Sequence, residues 1–278
     1  MDLSNLREGE LKEIFDGLEE AFQATGADFF IIGALAKDIW YAKGDVVSRQ
    51  TKDVDFAVLV GSQQNYEAIR NYLKENKNFL DTKGNSFVML SPSGIQVDIL
   101  PFGEIEIDDG VTFVGGGLDC IKVNGFMEVY QSGTEDLLLD TGHQFNVATL
   151  PSIVLLKLIA FDDRPEKRSK DARDIADIIH QFFDLQPTLI YSEEHLDLFS
   201  DDVEEKTLLE ISSVVIGREI KKIISTNANL SERIKQILQN HIDKQDESLF
   251  IKNMMAETRS TVEQAVGQLK NILQGLTD

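Results

Sequence analysis

Two aspartates separated by one residue, Asp53 and Asp55, are the side chains of this sequence best suited to chemistry. The apolar run at 57–60 follows them and predicts a β-strand, in which residues i and i+2 point to the same side. Two carboxylates about 4 Å apart repel each other by roughly 1 kcal/mol in water and about 4 kcal/mol at a partly buried site. Such oxygen ligands suit Mg²⁺, which binds one or two carboxylates together with substrate phosphates. Taken alone, an Asp-x-Asp pair is often only the solvated face of an edge strand. The surrounding residues therefore decide between a metal site and a solvated surface.

A third carboxylate, Asp98, lies in the alternating segment 95–100. The strand-like segment 86–90 precedes it, and the turn-forming residues 91–94 between the two predict a hairpin. If the second strand of this hairpin pairs beside the Asp-x-Asp strand, three carboxylates meet at one place. The alternative is a solvated aspartate on an antiparallel strand.

Gly33 and Ala34 join the apolar segment 28–32 to the helical-looking stretch 35–40. A helix that begins at a glycine lets backbone N–H groups approach a phosphate, and the helix dipole favours the negative charge. An ordinary strand-to-helix turn is the alternative. The position of this turn, one connection before the Asp-x-Asp strand, favours the phosphate interpretation.

Together these features resemble the nucleotidyltransferase superfamily, which contains DNA polymerase β. Its pattern is a strand, Gly-[Ser/Gly], a helix, Asp-x-Asp and a third Asp on a later strand. The likeness is greater to the AbiEii/AbiGii-type nucleotidyltransferases, toxins of type IV toxin–antitoxin systems. The Arg-x-Thr-x-Asp-x-Asp run of that branch is matched by Arg49, Thr51 and the aspartate pair. Its Lys-x-x-Ala-x-x-x-Arg helix is matched by Lys157 and Arg164, and its Lys-Asp-x-x-Asp segment by residues 170–174.

The resemblance implies an enzyme that moves a nucleoside monophosphate from a nucleoside triphosphate to a hydroxyl acceptor, with Mg²⁺ or Mn²⁺ as cofactor. Asp98 would complete the metal site and help to deprotonate the acceptor. Ala34 departs from the family's Ser or Gly, so a side-chain hydroxyl contact to phosphate is lost there. The implied catalytic residues are Asp53, Asp55, Asp98 and Lys157, of which the three aspartates hold the metal. The residues implied around the nucleotide are Gly33, Ala34, Arg49, Thr51, Lys157 and Arg164.

The acceptor is left open by the sequence. The toxin-type resemblance implies a tRNA 3′ end or a protein, and a cognate antitoxin as partner. A second hypothesis is nucleotidylation of a small cationic molecule such as an aminoglycoside, with the acidic residues Glu104, Glu106, Asp108 and Asp109 lining its entry. A third is a nucleotide-binding protein that has lost catalysis, against which the three aspartates argue.

Composition bounds these hypotheses. The 278 residues are 42% hydrophobic and 27% charged, as in a globular protein, and the net charge of −21 should repel polyanions at long range. The stretch from Lys157 to Arg173 is locally basic, with six positive against four negative residues. A single cysteine, Cys120, and four scattered histidines predict neither an internal disulfide nor a His/Cys metal cluster. The sequence shows no signal peptide and no membrane-spanning run, which predicts a cytoplasmic protein.

Hydrophobic periodicity predicts an α/β (α+β) fold, with a mixed-sheet nucleotidyltransferase domain at 1–148 and an all-helical C-terminal domain at 149–278. The active site is expected in the cleft between the two. The predicted strands of the first domain are 28–33, 53–60, 86–90 and 95–100, and its helices are 8–24 and 62–76. Residues 103–149 are predicted to be loop-rich and β-like. The later predicted helices begin at about residue 150 and at 169, 204, 230 and 257.

Overall fold

The computed structural model describes residues 8–46, 53–108, 110–112, 120–200 and 206–278. The chain divides into two compact units, one of Met1–Tyr130 with Thr134–Thr149 and one of Gln131–Gly133 with Leu150–Asp278. A mixed sheet dominates the first unit and helices make up the second, which confirms the predicted fold class. No helix within the described ranges is both long and apolar enough to cross a membrane.

The first unit is built on a seven-stranded sheet of order β3-β4-β5-β2-β1-β9-β8. Strand β2 lies near the middle, parallel to β5 and antiparallel to β1, and a separate two-stranded sheet is formed by β6 and β7. The strands are β1 (Asp28–Ile31), β2 (Asp53–Leu59), β3 (Leu80–Asp81), β4 (Val88–Leu90), β5 (Gln96–Phe102), β6 (Gly110–Thr112), β7 (Cys120–Lys122), β8 (Thr134–Leu138) and β9 (Gln144–Ala148). The helices are α1 (Glu8–Thr25), α2 (Gly33–Lys43), α3 (Gln63–Lys77) and α4 (Phe126–Ser132).

Aromatic side chains fix which face of β2 is apolar. Phe15 and Phe22 of α1 each lie 6.1 Å, centroid to centroid, from Phe56 of β2, and Phe15 lies 5.4 Å from Phe145 of β9. Because successive side chains of a strand point to opposite faces, Phe56 facing α1 sends Asp55 to the other side of the sheet. The hydrophobic contact with α1 therefore sets the direction of the carboxylate.

The second unit contains α5 (Leu150–Asp163), α6 (Ser169–Leu185), α7 (Pro187–Ile190), α8 (Leu208–Ile223), α9 (Ala228–Lys244), α10 (Leu249–Thr258) and α11 (Val262–Thr277), with 3₁₀ helices at Glu193–Phe199 and Gln245–Glu247. Helices α8 and α11 cross at two glycines. A Cβ on Gly217 would lie 2.1 Å from the carbonyl oxygen of Ile272, and one on Gly275 would lie 2.1 Å from that of Val214. This crossing therefore admits no side chain at either position.

The prediction of one helix over 257–275 is wrong at its beginning. Helix α10 ends at Thr258, and Arg259 adopts a left-handed conformation with φ of 55°. Helix α11 then begins after Thr261, which forms a capping box with Gln264. The loop-rich interpretation of 103–149 likewise omitted the short helix α4.

Candidate active site

Asp55 and Asp98 stand directly opposite each other on neighbouring strands. The parallel register of β2 and β5 pairs Asp55 with Asp98, and both side chains are half-buried. Paired residues of adjacent strands lie on the same face of a sheet, so the two carboxylates share the face opposite α1. The structure thus brings together two of the three predicted acidic residues.

The remaining predicted residues of this region are only partly described. Asp53 is the first residue of β2, opposite Gln96, and its side chain lies outside the described part of the chain. Arg49 and Thr51 lie in the undescribed segment 47–52, so their predicted roles stay predictions.

Gly33 is required where it stands because the Asp55 carboxylate occupies the place of a side chain. Its φ is 67°, and a Cβ built on it would lie 2.4 Å from Asp55 Oδ2. The Ile32 N–H, one residue earlier, donates to the backbone carbonyl of Asp55 at 3.1 Å. The sequence interpretation placed Gly33 beside phosphate, and its contact with the carboxylate is an additional constraint.

Helix α2 begins at Gly33 and offers its first N–H groups close to the aspartates. Ile32 at the N-cap position makes no side-chain capping hydrogen bond, and no acidic residue lies in the first turn. Ala34 is the second residue of the helix. The N–H groups that begin a helix have no intrahelical partner, and the helix dipole attracts negative charge to them. The same end of α2 can therefore take up a phosphate.

Gln96 orients Asp98, a role the sequence analysis did not identify. Its Nε2 donates to Asp98 Oδ1 at 2.9 Å. The i, i+2 spacing of two polar residues on one strand was the available signal. Behind them, the Tyr66 hydroxyl donates to the carbonyl of Ile99 at 2.8 Å. Burial raises the pKa of Tyr66 to about 12, with Arg70 opposing and the charge of Asp98 adding to the rise.

Lys37 is a second residue that the sequence analysis missed. Its side chain is buried in α2, and its Nζ lies 4.9 Å from the centroid of the Tyr41 ring. Residues four apart lie on the same side of a helix, so Lys37 shares the side of Gly33. That spacing was the signal from which Lys37 could have been found. Its ammonium lies at the Tyr41 ring, one turn further along α2 and away from Gly33.

Lys157 forms two ion pairs within the helical unit, one buried with Asp171 and one part-buried with Asp174. Its Nζ lies 2.8 Å from Asp171 Oδ1 and 2.8 Å from Asp174 Oδ2, so α5 is tied to α6. Burial alone would lower the pKa of the Lys157 ammonium, but the charges of Asp171 and Asp174 outweigh it and raise that pKa above its ordinary value. The matched Lys-Asp-x-x-Asp segment thereby gains a structural role. Arg164 directly follows α5.

The acidic residues suggested for a cationic substrate have mixed surroundings. Glu104 is exposed, whereas Glu106 Oε1 accepts a hydrogen bond from the N–H of Gly103 at 2.7 Å and caps a turn. The backbone carbonyl of Asp108 accepts from Lys122 Nζ at 2.8 Å, and Asp109 lies outside the described residues.

One group of metal-ligand side chains in the helical unit was not foreseen from the scattered histidines. Ligand atoms of Glu194, His195 and Glu219 lie within 4.8 Å of one another. Lys222 Nζ bonds to both carboxylates, at 2.6 Å to Glu219 Oε1, so an ammonium already supplies positive charge there. This group is therefore an ion-pair network.

Comparisons with known proteins give structural relatives of low identity. The solution structure of the antibiotic-resistance factor ANT(2″)-Ia matches with a TM-score of 0.41 and 11% identity, over 84% of this chain and 98% of that one. A crystal structure of an antigenic nucleotidyltransferase-like protein from Paracoccidioides brasiliensis matches with a TM-score of 0.39 and 13% identity, over 81% and 91%. ANT(2″)-Ia in complex with adenylyl-2″-tobramycin matches with a TM-score of 0.38 and 11% identity, over 80% and 98%.

A search of the curated proteins finds no match. The family described as "Nucleotidyl transferase AbiEii toxin, Type IV TA system" matches residues 17–268, which is most of the 278-residue chain. The resemblance seen in the motifs is confirmed: the chain belongs to the AbiEii nucleotidyltransferase family and is a nucleotidyltransferase.

Proposed function

We propose that this nucleotidyltransferase moves a nucleoside monophosphate from a nucleoside triphosphate to a hydroxyl acceptor, at a site formed by Gly33, Asp53, Asp55 and Asp98. The observation that carries the proposal is the register of β2 and β5, which pairs Asp55 with Asp98. The contact of the Asp55 carboxylate with Gly33 adds the phosphate-binding end of α2 to the same place.

The carboxylates fit a divalent cation, Mg²⁺ or Mn²⁺. Like charges directly opposite on neighbouring strands repel each other, and half-burial strengthens the repulsion. Asp53, Asp55 and Asp98 would hold the ion through hard oxygen ligands. When bound, it would neutralise charge on the triphosphate and on the departing pyrophosphate.

The protein's own residues position the phosphates of the nucleotide and provide one proton acceptor. The first N–H groups of α2, from Gly33 onward, bind phosphate oxygens. We assign the proton of the attacking hydroxyl to the Asp98 carboxylate, which Gln96 orients. The acceptor oxygen forms a bond to the α-phosphorus, the bond from that phosphorus to the pyrophosphate oxygen breaks, and pyrophosphate leaves. The predicted phosphate contacts of Lys157 and Arg164 stay predictions.

We propose a cognate antitoxin as partner, because the family is one of type IV toxin–antitoxin systems. A tRNA 3′ end or a protein stays the predicted acceptor. A small cationic acceptor is the second candidate, since a net charge of −21 attracts cations and repels tRNA at long range.

Thermal shift with ATP, GTP, CTP and UTP, each with and without Mg²⁺, tests the donor site. A ligand present at about 100 times its Kd stabilises the fold by about 2.7 kcal/mol. We expect one nucleotide to raise the melting temperature only with Mg²⁺, and Asp55→Asn to abolish the rise. Asp136→Asn is the matched control, because Asp136 lies on the edge strand β8 and accepts only a surface hydrogen bond from Gln144. A rise that persists in Asp55→Asn would refute the site.

Transfer of label from an α-³²P-labelled form of the active nucleotide identifies the acceptor. Wild type is incubated with total tRNA, with tobramycin, or alone, and the label is followed into RNA, small molecule or protein. Label in tRNA or protein supports the toxin-type acceptor, and label in tobramycin supports the cationic one. Nucleotide binding without label in any of them would support the hypothesis of lost catalysis.

A further inference from the structure

The helical unit carries a group of apolar side chains called here the aromatic platform: the exposed Tyr191, Leu196 and Phe199, and the half-buried Phe183. The Tyr191 and Phe199 rings are stacked 5.0 Å apart, and Phe183 meets Tyr191 edge to face at 5.8 Å. Tyr191 is 54% exposed, Leu196 50% and Phe199 37%. Single exposed apolar residues are ordinary, but a contiguous group of this kind marks an interaction site.

The three-residue repeat of a 3₁₀ helix turns two of the platform side chains, Leu196 and Phe199, towards solvent. Leu196 and Phe199 lie in the 3₁₀ helix Glu193–Phe199, where side chains three apart lie above one another. The same spacing buries His195 and Leu198 on the other side. The segment thus has a buried face that anchors it and an apolar face that it turns to solvent.

Ion pairs hold this segment against α8. Arg218 binds Asp197 with two hydrogen bonds of 2.7 and 2.6 Å, and Lys222 bonds to Glu194 and Glu219. A two-bond guanidinium–carboxylate pair fixes orientation as well as distance. The platform is therefore pre-organised, which reduces the entropy lost when a partner binds.

Charge around the platform selects the partner. The described segment 174–200 contains six Asp and Glu and no Lys or Arg, in a chain whose net charge is −21. Such a field repels nucleic acids, anionic membranes and the same surface of a second copy. It attracts a polypeptide whose apolar side chains are flanked by Lys and Arg, because interfaces pair opposite potentials.

We infer that the aromatic platform is a docking surface for a basic segment of a partner protein. Apolar side chains of that segment cover Tyr191, Leu196 and Phe199. Its Lys or Arg side chains pair with exposed carboxylates of the same stretch as the platform, such as Asp184 and Glu193. The inference goes beyond the proposed transfer reaction and does not depend on it.

Three matched synthetic peptides test the inference by fluorescence anisotropy. In the first, Arg alternates with Leu and Trp; in the second, Ser replaces Leu and Trp; in the third, Glu replaces Arg. Each is titrated against the full chain as wild type, as Tyr191→Ser/Phe199→Ser, and as Leu138→Ser. Leu138 is the matched control, because it is 75% exposed on β8 in the other unit.

We expect the first peptide to bind wild type, to bind the double variant about tenfold or more weakly, and to bind the Leu138→Ser control as it binds wild type. The second and third peptides should bind more weakly than the first. Hydrogen exchange should show slowing at 187–199 on binding. Circular dichroism checks the fold of the double variant, and the single variant Leu196→Ser replaces it if it unfolds.

Three outcomes would overturn the inference. One is no measurable binding of the first peptide to wild type. Another is equal binding to the variant and wild type, which would show attraction by net charge alone. The last is concentration-dependent self-association of wild type that the variant abolishes, which would assign the surface to a second copy of this chain.

Discussion

Replacing Gly33 by alanine should damage the fold and the active site together, and the chain provides its own control. Gly26 has the same φ of 67° as Gly33, but a Cβ on Gly26 would meet nothing within 4 Å. At Gly33 the same atom would lie 2.4 Å from Asp55 Oδ2 and 2.9 Å from its Cγ. The difference between the two alanine variants therefore isolates the contact with the carboxylate.

The magnitudes follow from these two terms. A residue with a Cβ in the left-handed conformation costs about 1–2 kcal/mol, which Gly26→Ala and Gly33→Ala should share. Forcing an atom into a filled site adds about 1–3 kcal/mol, which only Gly33→Ala should incur. We expect free energies of unfolding lower by about 1–2 kcal/mol for Gly26→Ala and by about 2–5 kcal/mol for Gly33→Ala.

Urea denaturation measures these losses, and Asp55→Ala completes a double-mutant cycle. With the carboxylate removed, the cost of Gly33→Ala should fall towards that of Gly26→Ala, because only the Asp55 Cβ, at 3.2 Å, still lies close to the added methyl group. The rise in melting temperature with Mg²⁺ and nucleotide reports on the active site. Gly26→Ala should keep this rise, and Gly33→Ala should lose it. Equal unfolding free energies for the two alanine variants, or an unchanged nucleotide response in Gly33→Ala, would refute the reasoning.

Three further predictions concern the helical unit. Lys157→Met leaves the buried Asp171 and the half-buried Asp174 carboxylates without their shared cation and should lower the free energy of unfolding by about 3–5 kcal/mol in urea. Burial lowers the pKa of His241 from its ordinary 6.5 to about 4, so the stability that depends on its neutral form is present above 6.5 and is lost as pH falls towards 4. A pH series of urea melts should show His241→Asn losing less stability than wild type in that window, by up to about 1.4 kcal/mol per pH unit. Gly217→Ala should overpack the crossing of α8 and α11 by ~1–3 kcal/mol, and each kcal/mol should lower the melting temperature by several degrees. Gly267→Ala is the control: its Cβ would have nothing within 4 Å, so the melting temperature should stay unchanged or rise.

The strand that carries Asp55 could be predicted from sequence because its signals are local. Alternation in 95–100 and the apolar run after the aspartates correspond to β5 and β2, and the hairpin of β4 with β5 is confirmed. The parallel pairing of β2 with β5 was only a condition in the sequence argument. Its register depends on contacts between residues far apart in sequence.

The contacts that sequence reasoning missed are mostly non-local. Lys157 pairs with partners 14 and 17 residues later on another helix, a relation that no single periodicity encodes. The contact between Glu194 on the 3₁₀ helix and Glu219 on α8 was also missed, because it too joins two elements that are apart in sequence. The break at Arg259 was missed because a left-handed arginine is rare, so that position carried no turn signal.

The register of Asp55 and Asp98 also has a consequence for the timing of activity during synthesis. The two residues are 98 − 55 = 43 positions apart, and their strands are parallel, so a connection through α3 must be complete before they meet. Pairing over such a distance is slow compared with the formation of helices. Until β5 has been synthesised and has paired with β2, the nascent chain carries Asp53 and Asp55 but does not hold Asp98 beside them, so the site is incomplete. For a member of a toxin family, this delays activity until the sheet of the first unit has assembled.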